Sequence, residues 1–218
     1  YEKLPYDPVK DFQALSLLWS FPSVLFVPGT SSIKSVSELL AQQRAKPGNY
    51  GSQGIGSGGH LLGELLNTRF GIKATHVPYK GGGPAVIALL SGETALLFAT
   101  IPSSIQHFST GKLRALGVSS LKRSVALPNV PSIAEAAVPG FEANEWNGAL
   151  VPTGTPRAAI DRLYQSISKA AAIPDVRDRI IALGAEPVGN TPEEFGAFIK
   201  REIGTWAKII KEVGIKVE

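Results

Sequence analysis

The sequence has no cysteine, no methionine and only three histidines among its 218 residues. The missing cysteine excludes a disulfide framework and any thiolate metal site. His60, His76 and His107 do not stand at metal-ligand spacing, and no acidic cluster accompanies them. No metal or other cofactor is therefore expected, and His76 and His107 read as structural. Long apolar runs are missing too: stretches such as residues 85–90 fall far short of the roughly 20 residues that cross a bilayer. Methionine is absent even from position 1. Lys3, Asp7, Lys10 and Asp11 interrupt the start, where an export leader would need an apolar stretch. The expectation is a longer gene product whose segment before Tyr1 has been processed off, cut away or left out.

Charge of one sign is not concentrated either. Lys and Arg number 22 against 18 Asp and Glu, a formal net charge of +4. The tightest basic clusters are Lys112/Arg114 and Lys122/Arg123. A nucleic-acid binder would gather such residues on one face among aromatics, so a solvated surface is expected and no nucleic-acid partner. With 44% hydrophobic and 18% charged residues, the chain is globular rather than disordered. Its length allows one large domain or two small ones.

What is present alternates between strand and helix signals. Val24–Val27 is a β-branched and aromatic run stopped by Pro28-Gly29. Residues 35–46 open with the capping box Ser35-x-x-Glu38 and end at Pro47-Gly48. A short strand end at Tyr50–Ser52 precedes a helix over 58–70, with Leu61/Leu62 and Leu65/Leu66 at helical spacing. Strands follow at 75–79, 94–98 and 113–118, with helices opened by Gly83-Pro84 and Pro102 between them. This rhythm predicts a mainly parallel sheet flanked by helices. Linker-like composition over 127–142 surrounds a small helix at 133–137, and 143–151 reads as extended. The remainder is helical. Thr191-Pro-Glu-Glu194 starts a long amphipathic helix whose core face carries Phe195, Phe198, Ile203, Trp206 and Ile209.

The glycine loop Tyr50-Gly-Ser-Gln-Gly-Ile-Gly-Ser-Gly-Gly-His60 contains G-x-G-x-x-G at Gly54, Gly56 and Gly59. A dinucleotide site also needs a carboxylate about 20 residues on, and the next strand, Thr75–Tyr79, supplies none. No G-K-[ST] follows, so a P-loop is excluded, and Ile55 two residues before Ser57 excludes a nucleophile elbow. What remains is a strand, a turn and a helix N-terminus, whose free N–H groups and dipole favour an anion. A carboxylate or phosphate fits, and so does a turn that binds nothing. Tyr79-Lys-Gly-Gly-Gly-Pro84 and Phe98-Ala-Thr100 form two more strand-to-helix junctions, at the sheet end where ligands gather. No nucleophile–base set and no carboxylate pair stands beside these loops.

Further stretches carry a resemblance. They are Tyr6-Asp-Pro-Val-Lys-Asp-Phe12, the glycine loop itself, His76-Val-Pro-Tyr-Lys-Gly-Gly82 and Gly111-Lys-Leu-Arg-Ala-Leu116. To these are added Leu127-Pro-Asn-Val-Pro-Ser-Ile-Ala-Glu-Ala136, Gly184-Ala-Glu-Pro-Val188 and Thr191-Pro-Glu-Glu-Phe195. In order and from end to end, the chain resembles the Bug family, the extracytoplasmic solute receptors of tripartite tricarboxylate transporters. The resemblance implies an α/β, two-lobed architecture like the type II periplasmic binding proteins, with mainly parallel sheets flanked by helices. Residues 1–22 would be a remnant of the first lobe and 23–143 the second lobe. Residues 144–218 would be a crossing strand and C-terminal helices returning to the first.

The same resemblance implies a periplasmic receptor that closes on a small organic carboxylate and delivers it to cognate membrane permease subunits, without catalysis or cofactor. Carried over by position, the ligand contacts fall to Ser52, Gly54, Gly56, Ser57 and His60. Ala99 and Thr100 lie at another ligand loop, and Trp146 near the crossing strand is expected to close the cleft. A family chain begins with an export signal, then a strand and a Pro- and Gly-rich loop that grips one ligand carboxylate. That part is not in this sequence, so the first lobe is expected to be incomplete, with a sheet edge free to pair in a homodimer. Ala99 stands where relatives often carry Asp, which points to a di- or tricarboxylate or an aromatic acid without positive charge. Two other readings stay open at this stage: an enzyme acting on a carboxylated metabolite, and a truncated, ligand-free domain with an interaction role.

Overall fold

Pro22 stands inside a 17-residue strand, β1 (Phe12–Pro28), of the computed structural model, which describes residues 4–215. The chain divides into two compact units: the described residues of Tyr1–Ser20 with Trp146–Glu218, and Phe21–Glu145. β1 contributes to both. Trp19 and Ser20 pair with β7 (Glu186–Pro187), while Ser23 to Pro28 pair with other strands. Pro22, which has no N–H to give a ladder, falls between these pairings.

In the 21–145 unit the sheet order is β3-β2-β4-β1-β5. β2 (Asn49–Ser52) runs parallel to β3 (Thr75–Pro78) and to β4 (Leu96–Thr100). β1 runs antiparallel to β4 and to β5 (Leu113–Val118), with Ser23 opposite Thr100 and Val24 opposite Val118. The expectation of a mainly parallel sheet thus becomes a mixed one. Strand direction depends on the path of the connection, and apolar periodicity does not carry it.

Helices cover both faces. They are α1 (Val36–Ala45), α2 (Gly58–Phe70), α3 (Gly82–Ser91), α4 (Ile101–Ser109) and the short α5 (Ile133–Ala136). Val24 and Phe26 join Leu97, Ala99, Val86 and Leu89 in one buried cluster. Leu25, Leu96 and Phe98 alternate with these along the strands and are also fully buried, as expected for strands covered on both sides. Arg114 ties down the loop after β1, donating to the carbonyls of Gly29, Ser31 and Ile33. The capping box read at Ser35 forms in part. Ser35 Oγ accepts from Glu38 N–H, but Glu38 reaches back to the N–H of Lys34.

The other unit holds β6 (Asn144–Pro152) from Trp146 onward, α6 (Arg157–Ala172), α7 (Pro174–Ala182), β7 and α8 (Pro192–Val213). Leu15, Val151 and Ile160 form its small buried cluster, with Tyr164 and Ile167 against it. α8 begins with the complete capping box: Thr191 Oγ1 accepts from Glu194 N–H, and Glu194 Oε2 accepts from Thr191 N–H. Phe195 is fully buried beneath Gly148, where an added Cβ would lie 2.1 Å from its ring. Among the described residues no helix is long and apolar enough to cross a membrane.

Candidate functional site

The three strand-to-helix junctions meet at one end of the sheet in the 21–145 unit. β2 ends at Ser52, and the chain turns through Gly54 and Gly56, both at positive φ (137° and 78°), before α2 begins. Only glycine takes such angles without strain. Ser57 caps the helix: its Oγ accepts from His60 N–H at 3.3 Å and donates to Gly54 O at 2.7 Å. The N–H groups of Gly58 and Gly59, in the first turn, have no intrahelical acceptor. They point with the positive end of the helix dipole toward whatever lies there.

The second junction is tied to the first by two backbone bonds, from Tyr79 N–H to Ser52 O and from Gly81 N–H to Gln53 O. The third is reached through Gln53, whose Nε2 donates to Phe98 O at 2.9 Å. Its Oε1 is buried with no hydrogen-bond partner. Beside this amide a Cβ on Gly59 would come within 2.4 Å of Oε1 and 2.9 Å of Phe98 O, so only glycine lets α2 approach β4 so closely. Thr100 caps α4 without a side-chain bond to the helix backbone, and its Oγ1 lies 3.1 Å from Ser103 Oγ.

Three stacked rings stiffen the loop. His60 and His76 stack at 3.9 Å, nearly parallel, and His76 also stacks on Tyr50 at 4.9 Å. His60 Nδ1 accepts from Gly56 N–H, which places the ring proton on Nε2. Burial holds His60 below the usual histidine range, against the pull of the Glu64 charge. His76 is pushed down to about 4, first by burial and then by His60. Tyr50, buried with its hydroxyl on Glu64 Oε1 at 2.6 Å, is driven up by that burial and by the carboxylate.

Ser52 Oγ and His76 Nε2 lie 2.6 Å apart, the spacing of a nucleophile and its base. Ser52 is nevertheless fully buried, with its Oγ occupied by the N–H and carbonyl of Gly54. A ring that protonates near 4 is also a weak base at neutral pH, far from the matched value general-base catalysis needs. This pair holds the loop in shape.

Ser52, Gly54, Gly56, Ser57 and His60 therefore share one cradle, with Thr100 at the neighbouring junction. Ala99 turns its methyl into the buried cluster with Leu97 and Val86. Trp146 belongs to the other unit. There its indole N–H donates to Glu202 Oε2 at 3.0 Å, and its ring meets Phe195 and Phe198 edge-on. Sequence reasoning missed Glu145 and Ser23. Ser23 Oγ donates to Glu145 Oε1 at 2.5 Å, and the carboxyl lies so close to the first turn of α2 that a Cβ on Gly58 would sit 2.8 Å from Cδ. Burial raises the Glu145 carboxyl and the Ser23 hydrogen bond opposes the rise. Its one sequence signal is an acid between Asn144 and Trp146, far along the chain from the glycine loop.

Comparison with known proteins matches residues 1–215 to the receptor family of the tripartite tricarboxylate transporters. The chain is 40% identical over 215 residues to the UPF0065 protein in the tcbD-tcbE intergenic region of a Pseudomonas species, covering 97% of this chain and 64% of that one. It is 36% identical over 217 residues to protein BugT of Bordetella pertussis, covering 99% and 67%. Among solved structures, an R. palustris protein with adipate superposes with a TM-score of 0.92 at 33% identity, over 99% of this chain and 73% of that one. MatC of Rhodopseudomonas palustris, with bound malate, gives 0.82 at 29% identity, over 95% and 72%. The chain thus spans about two thirds of the length of the curated relatives it matches.

Proposed function

The chain belongs to the receptor family of the tripartite tricarboxylate transporters, and from that premise we propose that it captures a small organic carboxylate. The cradle at the start of α2 is the anion site, and the ligand is a di- or tricarboxylate or an aromatic acid. The observation that carries this reading is the convergence of three junctions on the first turn of α2. There the N–H groups of Gly58 and Gly59, in the first turn behind the Ser57 cap, offer donors to an anion. Similar proteins hold adipate and malate, both carboxylates, which supports the ligand class. Ala99, buried and uncharged, offers no counter-charge for an ammonium group at its junction. On this reading the protein is a periplasmic receptor, not an enzyme, and hands its ligand to membrane permease subunits.

The test is calorimetric titration with adipate, malate, citrate and benzoate, on the protein and on Ser57→Leu. The expected result is saturable binding of at least one acid, weakened at least tenfold in the variant because leucine removes the cap and fills the cradle. Failure of every acid to bind a folded protein, or conversion of a bound acid to product, overturns the proposal.

A further inference from the structure

A receptor for anions that places an acid against its anion-binding helix has an electrostatic problem. Glu145 lies against Gly58 in the first turn of α2, and one of its oxygens is taken by Ser23 Oγ. Ser23 stands opposite Thr100 in the β1–β4 ladder, so the carboxyl sits at the same sheet end as the three junctions. An ionised carboxylate there would repel an incoming carboxylate at close range. Two carboxyl groups in one site relieve the repulsion by sharing a proton, which raises the affinity of the pair for that proton.

We infer that Glu145 is a specificity-determining residue of this site, and that the ligand carboxylate is bound together with one proton shared with the Glu145 carboxyl. The inference rests on the carboxylate-receptor reading. Ser23 holds Oε1, the oxygen nearest Gly58, and the carboxyl meets the ligand as a donor when protonated and as a repelling charge when not. The proton comes from solvent and stays on the carboxyl pair, and no bond in the ligand changes.

Burial favours this, since it already raises the Glu145 carboxyl in the free protein, and the only opposing influence is the Ser23 hydrogen bond. Among the other charged or titratable groups near the cradle, Lys80 of the second junction is exposed to solvent, and the rest are engaged elsewhere. His60 accepts from Gly56 N–H, His76 meets Ser52 Oγ, and Glu64 takes the Tyr50 hydroxyl. The parts of β1 and β4 at this end carry no ionisable side chain, and Arg114 of β5 is bound to the carbonyls of the loop after β1. Both histidines are held low and are neutral above about pH 6.5, so a proton taken up there falls to the carboxyl pair.

The experiment is calorimetry of the whole protein with adipate and malate between about pH 6.5 and 8.5, where both acids are fully ionised. It is run in two buffers of different ionisation enthalpy, so that net proton uptake is read directly. Wild type should take up close to one proton per ligand, with affinity falling up to about tenfold per pH unit. Glu145→Gln should bind without proton uptake and with flat pH dependence. Ser23→Ala, which removes the bond that favours the ionised form, should carry the pH dependence to higher pH. Binding with no proton uptake in wild type, or with unchanged pH dependence in Glu145→Gln, overturns this inference and leaves the receptor reading intact. Failure of both acids to bind wild type and Glu145→Gln alike overturns both.

Discussion

His76 is squeezed between Tyr50 and His60, and that position sets its response to acid. The unfolded ring protonates near its usual 6.5, while the folded one resists until about 4. The unfolded state therefore binds more protons across that window. Stability from the neutral ring is complete above about 6.5 and is lost as pH falls toward 4. The histidine C–H resonances, followed by NMR, should place the His76 midpoint near 4 and that of His60 below its usual range. A His76 midpoint at or above 6.5 would contradict the stack. At this scale the cradle was half legible. Ser57 and His60 announce themselves by the helix start they share with the glycines, because capping is local in sequence. Glu145 and Ser23 meet from strands 122 residues apart, and no local pattern encodes that pairing. The ring stack escaped for the same reason, and His76, read as structural, does serve the shape of the loop.

Elements that announce their own ends are legible in the sequence. The capping box at Thr191, the prolines that open α4 and α8, and the Ser57 start of α2 are all present. The sequence pattern marks four residues of β1, which runs for 17, because Pro22 breaks the pattern where the strand passes from one unit to the other. The antiparallel placing of β1 was also invisible, since it follows from the route of the chain. Packing between α2 and β2 yields a sharp expectation. A Cβ on Gly63 would lie 2.1 Å from the Tyr50 ring, which is fully buried and fixed by Glu64. Gly63→Ala should cost about 1–3 kcal/mol through overpacking, and disturb the His76 stack with it. Thermal unfolding measures the loss. A variant as stable as wild type would mean that Tyr50 is free to move aside.

Across the whole molecule the two units differ in how much they bury. The 21–145 unit has a sheet covered on both faces, with a large continuous cluster from Val24 to Val130. In the other, α6 buries only Ile160 and α7 buries no residue, and Leu163, Ile173 and Leu183 are exposed. An apolar hollow lined by Leu18, Trp19, Ile167, Val176 and Ile180 opens there. Burial at about 25 cal/mol per Å² is the main source of stability, so amides of α6 and α7 should exchange with deuterium well before those of β2 and β4. Equal protection in both would contradict this difference in burial. The cradle proposed to hold the anion lies in the better-packed unit, where the three junctions hold it in shape.

The most direct test of carboxylate capture is native mass spectrometry of the protein titrated with adipate, malate, citrate and benzoate near neutral pH. One acid bound per chain, released unchanged on activation and lost in Ser57→Leu, is the predicted result. A folded protein that retains none of the four, or that returns an acid chemically altered, would contradict the claim.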